Sequence, residues 1–579
     1  MVEILFGGTV GQDLQDLGIG ISWVEVVQNA GQPVVVALSG KGGGLVSLSF
    51  DAGGQAFVAD TQYLSSGIWA ASGPPALIAT TTGFIATVAH ESNLNLVGYS
   101  IQGNQIGVLS SLTGPGIAGG AGTHYQEIAG FLFSADTSGV LKCFRPNGDG
   151  SFIAGSVTPD TSASFHAVPG AMGQIEVHGR AYLLTSCLQD IGLSAYEVNQ
   201  TTGAIQHASS MGVANGLGMF STPVAIETAT MAGRGYVIAA SAANIGTGGA
   251  LSVMEIDADG KMAVTDHILD SQNTRFGRVT ALEVVEHNGW VYVIAQGGEQ
   301  GISLFTLMPG GRLLHLDSFV ATATIDLASQ SGLAAAMTGD QLRLLISTHA
   351  ATGFKQFNVD LSGQGGIQEA GANGTGLNGG AGRDMLIGGA GQDTLNGGGS
   401  ADIISDGGGQ DRLIGGGGAD VFVLAQDGTF DVIADFDVAQ DRIDLSLVPM
   451  LYGVESVTFS SRAWGGVLSY RGEELELRSV YNQPLDSAQV LSALVWGADR
   501  PPLALRQEQQ GSSGNDTLNG IPGSDLIHAG IGNDIIIGFA GDDELYGEDG
   551  DDKIYGGIHN DTIYGGFGND TVDGGDGYD

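Results

Sequence analysis

"GGAGQDTLN" (residues 388–396) holds three glycines, one aspartate and one leucine, and near copies of it stand on both sides. Set in register, the copies place aspartates at Asp384, Asp393, Asp402, Asp411 and Asp420, each followed two places on by Leu386, Leu395, Ile404, Leu413 or Phe422. A second array has Asp516, Asp525, Asp534, Asp543, Asp552, Asp561, Asp570 and Asp579, and the first seven are trailed by Leu518, Ile527, Ile536, Leu545, Ile554, Ile563 and Val572. A flexible Gly-rich linker needs only composition. A fixed phase between an acid and an aliphatic residue, kept at one period, is instead the signature of a repeat architecture.

Glycine at the first, second and fourth places lets the chain turn tightly through positive φ, and the closing x-aliphatic-x triplet reads as a short strand with one inward side chain. Two nonapeptides then form one flattened coil, turn–strand–turn–strand, so same-edge aspartates are eighteen residues apart: Asp384, Asp402 and Asp420 on one edge, Asp393 and Asp411 on the other. Neighbouring coils in such a stack lie about 4.8 Å apart. Two carboxylates at that spacing repel by about 0.9 kcal/mol in water and by several kcal/mol at an effective dielectric of about 20. The stack therefore calls for a cation. One that accepts six to eight oxygens at about 2.3–2.6 Å, carboxylate and carbonyl alike, is calcium.

The pattern G-G-x-G-x-D-x-aliphatic-x resembles the RTX calcium-binding nonapeptide of bacterial secreted proteins. The resemblance implies parallel β-rolls, with several Ca2+ ions held between same-edge turns by the aspartate side chains and the carbonyls of the glycine-rich loops. It makes the thirteen aspartates the metal-site residues. Ser400 and His559 replace the fourth-place glycine, Asp406 and Ala529 the first, and Ser512, Ile521, Phe539 and Glu548 the second. Sites touching Ser400 or His559 are expected to be weak, and His559 reads as a solvent-facing substituent because hard calcium sites favour oxygen. Asp427 falls outside the nine-residue period.

After Phe422 the chain reads "FDVIADFDVAQDRIDLS" (430–446). This resembles the segment that caps the β-roll of serralysin-type secreted metalloproteases: Asp431, Ile433, Asp435, Phe436, Asp441, Ile443, Asp444 and Leu445 match, while Ala439 stands at a usual glycine. Downstream, "VESVTFS", "GVLSY" and "EELELRSV" alternate like strands, and "DSAQVLSALVW" reads as a short helix. No His-Glu zinc motif occurs, so the protease part of that resemblance has no counterpart.

Residues 1–363 repeat more subtly, in seven units of about 45 residues built from apolar strands joined by small-residue turns, as in "RAYLLTSCLQDIGLSAYEVNQTTGAIQHAS" and "GWVYVIAQGGEQGISLFTLMPGGRLLHLDS". Strands at that period call for a β-propeller. The seventh unit lacks its last strand, and the apolar stretch Val2–Phe6 is expected to supply it and close the ring. Phrases such as "GYVIAAS" and "WVYVIAQ" resemble those of seven-bladed lactonase-like propellers. "NGDGS" (147–151) and "DADGK" (257–261) suggest calcium loops at first sight, but neither has the loop's closing glutamate, and both read as hairpin turns.

The expected architecture is all-β: a seven-bladed propeller over 1–363, a Gly-rich linker over 364–376, a first β-roll over 377–423, a serralysin-like cap over 424–510 and a second β-roll over 511–579. Net charge is −42; residues 366–579 carry 35 acidic against 9 basic residues, and residues 1–365 carry 27 against 11. Nucleic-acid phosphate is therefore an unfavourable partner throughout. The start MVEILFGG has no basic or apolar leader, and no run of eighteen apolar residues occurs, so neither a Sec signal nor a membrane span is expected. The RTX resemblance implies instead type I export, by an uncleaved C-terminal signal, to an extracellular or cell-surface location. Because "GGDGYD" stops at Asp579 in mid-repeat, the chain is expected to be a fragment or processed form whose last coil frays. Cys143 and Cys187 lie on different strands and are expected to remain unpaired.

No Ser-His-Asp or phosphate-loop signature stands out, so catalytic residues remain unassigned. The densest polar cluster is His90, Glu91 and Asn93, with His124, Glu127, His166, Arg180 and His349 as partners from other blades. Two readings follow: a propeller that binds an extracellular glycan or surface protein, or a secreted enzyme, such as a lactonase-like hydrolase or a polysaccharide lyase, using the propeller channel. A convergent His/Glu/Arg set would favour the second, and an apolar or aromatic outer patch the first.

Overall fold

The computed structural model describes the chain except residues 1, 15–20, 30, 40–42, 65–76, 81–82, 90–95, 112–123, 137–138, 147–151, 160, 162–163, 165–167, 189–191, 213–221, 243–247, 272–273, 350–351, 449–450, 452–455, 497–499, 501–506, 520–524, 541–542, 559–560 and 577–579. Seven four-stranded antiparallel sheets form the N-terminal propeller. In four blades the first two strands are joined by a tight turn whose residues meet its backbone demand. Ala129-Gly130, His178-Gly179, Ala232-Gly233 and Asn288-Gly289 all take positive φ at both positions, with the four non-glycine residues at 50–52°. Two successive positive φ values twist a hairpin in the sense its strands require. The sequence "DADGK" is likewise a hairpin turn, with Asp257 Oδ1 accepting from the N–H groups of Asp259 and Lys261.

The last blade is closed by the N-terminus. Strand Ile4–Val10 pairs antiparallel with Phe354–Asp360, from Ile4 opposite Val359 to Val10 opposite Phe354. The closing strand thus begins two residues later than expected and runs on through Gly7 and Gly8, where the register slips by one residue. A bulge absorbs the one extra residue, Gly7, while Gly8 pairs with Gln356. Blade interiors are aliphatic and aromatic: Tyr182, Tyr236, Phe305 and Phe357 are all fully buried. Cys143 and Cys187 are both buried and unbridged.

From residue 364 the chain winds as a parallel β-solenoid of about ten turns. One sheet of the first roll stacks Gln364–Glu369, Arg383–Ile387, Ile403–Ser405, Val421–Val423, Arg442–Asp444 and Leu494–Val495. The other stacks Gly376–Asn378, Thr394–Gly399, Arg412–Gly417 and Phe430–Phe436, then continues through Glu473–Ser479 into two antiparallel strands. The structure departs here from the expected linker over 364–376: Ile367 pairs with Met385 and Leu377 with Leu395, so this segment is the first coil. The reason is positional. Gly366 and Thr375 stand where the next coil has Asp384 and Asp393, so the geometry persists where the acidic marker is absent.

The second roll is built of two four-stranded parallel sheets in the same eighteen-residue register, Leu518 on Ile536 on Ile554 on Val572. Its inward line is Ile527, Ile536, Leu545 and Ile554, all fully buried. The first roll packs against the propeller: Met385, Ile403 and Val423 share one apolar cluster with Ile4, Trp290, Tyr292 and Leu344. Beside that seam Arg500 reaches back to the propeller, its Nε 3.0 Å from Asp266 Oδ1, with both side chains buried. The one α-helix among the described residues, Ser487–Ser492, is capped by Asp486, and no helix there is long and apolar enough to cross a membrane.

Candidate metal centres and the propeller channel

The repeat aspartates form ladders along the turn edges. Asp384 N–H donates to Asp402 Oδ1 at 2.8 Å, Asp393 to Asp411 at 2.7 Å, and Asp402 to Asp420 at 2.9 Å. The second roll repeats the link from Asp516 to Asp534, Asp525 to Asp543, Asp534 to Asp552, Asp543 to Asp561, and Asp552 to Asp570. Each link spans eighteen residues, as the coil geometry requires. Most of these side chains are buried; Asp516 and Asp570 are half-buried, and Asp579 and His559 lie outside the described residues.

Each of these bonds uses Oδ1. The other oxygen is unsatisfied in the array interiors: Oδ2 of Asp402, Asp411, Asp534 and Asp552 is buried without a hydrogen-bond donor. A buried carboxylate oxygen in that condition costs several kcal/mol unless a cation or donor meets it. The glycines say what surrounds it. A methyl group on Gly397 would stand 2.3 Å from Asp402 Oδ2 and 2.8 Å from the Gly415 carbonyl oxygen, and one on Gly538 would meet Asp543 Oδ2 at 2.3 Å and the Gly556 oxygen at 2.6 Å. The first-place glycine therefore keeps clear a cradle lined by a carboxylate and a carbonyl from the next coil. The acids feel their confinement: burial, with same-edge neighbours, raises Asp402 and Asp411 to about 7 and Asp420 to about 6. Such an oxygen-only set fits calcium, which the aspartates and turn carbonyls would hold. Among the described residues no three His, Cys, Asp or Glu side chains form a ligand group by themselves, so carbonyls have to complete any such site.

Three ladder members had escaped the nine-residue reading. Asp411 N–H donates to Asp431 Oδ1, Gly415 N–H to Asp435 Oδ1, and Asp420 N–H to Asp441 Oδ1, so the cap-like segment carries the ladders one coil further. Spacings of twenty and twenty-one residues hide them from a fixed period. Asp427, also out of period, faces a turn as well, its Oδ2 accepting from Gly409 N–H. Ser400 takes φ 79° in place of glycine, and its hydroxyl donates to the Ala381 carbonyl at 2.8 Å, tying up a turn oxygen.

In the propeller, a cavity of about 540 Å³ opens among the first strands of the blades, and Glu25, Glu227, Glu283 and His124 line it. Counting back from the hairpin turns shows why they meet. Each sits four residues before the strand's closing residue, Asn29, Met231, His287 and Ile128, so all four share one level; Gly173 and Ala334 hold that level in two further blades. Glu25 is exposed to the channel yet ringed by protein, and burial raises it to about 7. Burial and then Glu25 raise Glu227 to about 8, burial and then Glu227 and Glu25 raise Glu283 well above the ordinary carboxyl range, and burial lowers His124.

The other sequence candidates do not join them. Glu127 accepts from Gly130 N–H at its hairpin, Arg180 pairs with Glu197 and Asp259 on the surface, and His349 is exposed. His90, Glu91, Asn93 and His166 lie outside the described residues.

Six stretches match the family model of the RTX calcium-binding nonapeptide repeat (4 copies): residues 377–404, 396–427, 510–545, 519–554, 537–572 and 546–579. The chain thus carries RTX calcium-binding repeats on a β-roll. No curated protein matches the chain. Among solved structures, a putative 6-phosphogluconolactonase from Bacteroides uniformis is 17% identical, with 53% of this chain and 87% of that chain covered at a TM-score of 0.39. A protein from Lactobacillus plantarum is 13% identical, with 62% and 99% covered at 0.37. A functionally unknown protein from Desulfotomaculum acetoxidans is 14% identical, with 54% and 88% covered at 0.38.

Proposed function

We propose that this is an exported calcium-binding protein whose β-rolls fold on calcium outside the cell, after passage through type I export machinery, and whose propeller is an extracellular binding module for a glycan or a surface protein. The observation that carries the calcium half is the buried aspartate ladder: repeated carboxylates, eighteen residues apart, each with one oxygen on a backbone N–H and the interior ones with the other oxygen unmet. A divalent cation supplies the missing charge, and the aspartates of the two arrays are its ligands. Calorimetric titration of the chelated full-length chain with calcium tests this. Uptake of several ions, accompanied by a gain of β signal in circular dichroism, is the expected result; no uptake up to about 1 mM, the extracellular range, would refute it.

A second reading gives the propeller a reaction, as a lactonase-like hydrolase or a polysaccharide lyase. Its support is the ring of Glu25, Glu227, Glu283 and His124 in one channel, where carboxyls raised towards neutrality are suited to exchanging protons. A screen of the full chain against lactones and glycans, with turnover and binding both recorded, separates the two. Turnover lost in Glu227→Gln selects the enzyme; binding without turnover selects the module.

A further inference from the structure

The channel that holds Glu25, Glu227 and Glu283 does not end at their level. Toward the hairpin turns, at Ala129, it adjoins a cleft of about 480 Å³, and Gln174 and Thr228 line both spaces. Each volume falls within the about 300–1,000 Å³ common to ligand sites. The two spaces differ in chemistry. In the channel the three glutamates have neither a hydrogen bond nor a cation beside them; only burial and the other glutamates act on them. Among the described residues no Lys or Arg lines either space. In the cleft the exposed amides of Gln174 and Gln200 stand with buried Ile175 and Ala229, so polar groups rim an apolar wall.

We propose that channel and cleft form one site that takes a neutral glycan end-on, with the terminal sugar among Glu25, Glu227 and Glu283 and the next sugar beside Gln174. This deepens the reading of the propeller as a glycan-binding module and rests on it. The lining sets the chemical class. An anionic sugar or a phosphate would meet acids and no base, and like charge repels it. An apolar ligand would leave the acids and amides without partners. A sugar hydroxyl both donates and accepts, so it satisfies an amide, and a carboxyl in either of its forms. Burial holds Glu25 at about 7 and Glu227 at about 8, so near neutral pH the ring offers O–H donors more than a fixed charge for a cation. The rimmed apolar wall of the cleft matches the second sugar, whose C–H face is apolar and whose edge carries hydroxyls. First strands of six blades surround the channel, so a chain enters along its axis, end first.

The test is calorimetric titration of the full chain, in saturating calcium, with maltotriose, cellotriose and chitotriose, and separately with trigalacturonate and spermidine. At least one of the neutral trisaccharides is expected to bind one to one, and the acidic trisaccharide and the polyamine are not. Gln174→Trp, an exposed position that narrows the mouth, should abolish the uptake. Glu227→Leu should weaken it about tenfold, the factor one buried hydrogen bond supplies. If Glu227→Leu fails to fold, Gln174→Trp decides alone. A neutral trisaccharide bound as tightly by Gln174→Trp as by the wild type overturns the proposed site and leaves the glycan reading standing. Trigalacturonate bound in place of the neutral sugars overturns the proposed class and again leaves that reading. No saccharide uptake, with or without uptake of spermidine, overturns both.

Discussion

The propeller and the rolls are both stacks of short strands, yet they are held by different forces. A blade carries apolar residues on two faces: strand Trp290–Gly297 is buried along its whole length, as is its neighbour Gly301–Met308. Burial at about 25 cal/mol per Å² of apolar surface is enough to form such a core from protein alone. A coil of the second roll offers two inward aliphatics per eighteen residues and sets buried carboxylates above one another at its edges. Stability there has to come from what neutralises the edges. On the proposed reading the same strand chemistry is expected to yield one module indifferent to calcium and one that depends on it.

Chelation is the largest break of that comparison. In calcium the full chain should melt in separate calorimetric transitions of the propeller and of the two rolls; in chelator the roll transitions should vanish while that of the propeller moves little, because a ligand stabilises only the unit that binds it. A single transition that shifts as one would mean that the seam makes propeller and first roll cooperative.

The strength of that seam is the next quantity to probe. Arg500 and Asp266 are both buried, and the Arg500 guanidinium also contacts the Leu313 and Ser446 carbonyls. Removing Arg500 leaves Asp266 with Arg312, 3.9 Å away, and the Leu313 N–H, so the cost falls below the about 3–5 kcal/mol of breaking a buried pair outright. Arg500→Ala should therefore lower the melting temperature of the first roll clearly more than that of the second. Equal shifts would show that the contact does not couple roll and propeller.

Within a roll the difference between positions is sharper still. Asp402 has same-edge neighbours on both sides, Asp384 and Asp420, whereas the coil before Asp384 carries Gly366 at the matching place. Asp402→Ala should remove two calcium ions per chain and Asp384→Ala one, with Asp257→Ala in a propeller hairpin removing none. Equal losses at 402 and 384 would contradict the eighteen-residue pairing.

The two modules also differed in how far their sequences could be read. In the rolls every turn needs glycine and every coil repeats the demand, so the residues that build the fold are those that mark the site. Where a coil keeps the geometry but drops the acid, as at Gly366 and Thr375, reading fails and a strand looks like a linker. Where spacing stretches, as at Asp431 and Asp441, ligand-type acids look like cap residues. In the propeller the strands and the closing N-terminus were legible from alternation. Of the channel ring only His124 was; its three acids were not, because "WVEVV", "AIETA" and "ALEVV" look like ordinary half-buried strands. The one signal available was an acid at a fixed offset from the hairpin turn, and it becomes visible only once the blades are aligned on those turns.

The smallest effect concerns that ring and runs opposite to expectation for surface acids. Glu227 is raised from 4.5 to about 8, by burial first and Glu25 second, so the folded propeller holds this proton more tightly than the unfolded chain. Its contribution to stability is therefore complete below about pH 4.5 and is lost as pH climbs through about 8. Glu227→Gln fixes the neutral form. The variant should melt like the wild type near pH 5 and a few degrees above it near pH 8.5, about the shift that 1 kcal/mol produces in a large domain. Because the aspartates of the rolls titrate too, the informative quantity is the difference between variant and wild type in the propeller transition, in which the roll contributions cancel. The same substitution should ease the ionisation of Glu283, which Glu227 opposes across the channel. A variant less stable than the wild type at pH 8.5 would mean that Glu227 is ionised and paired in the channel, and that the ring already holds a positive charge.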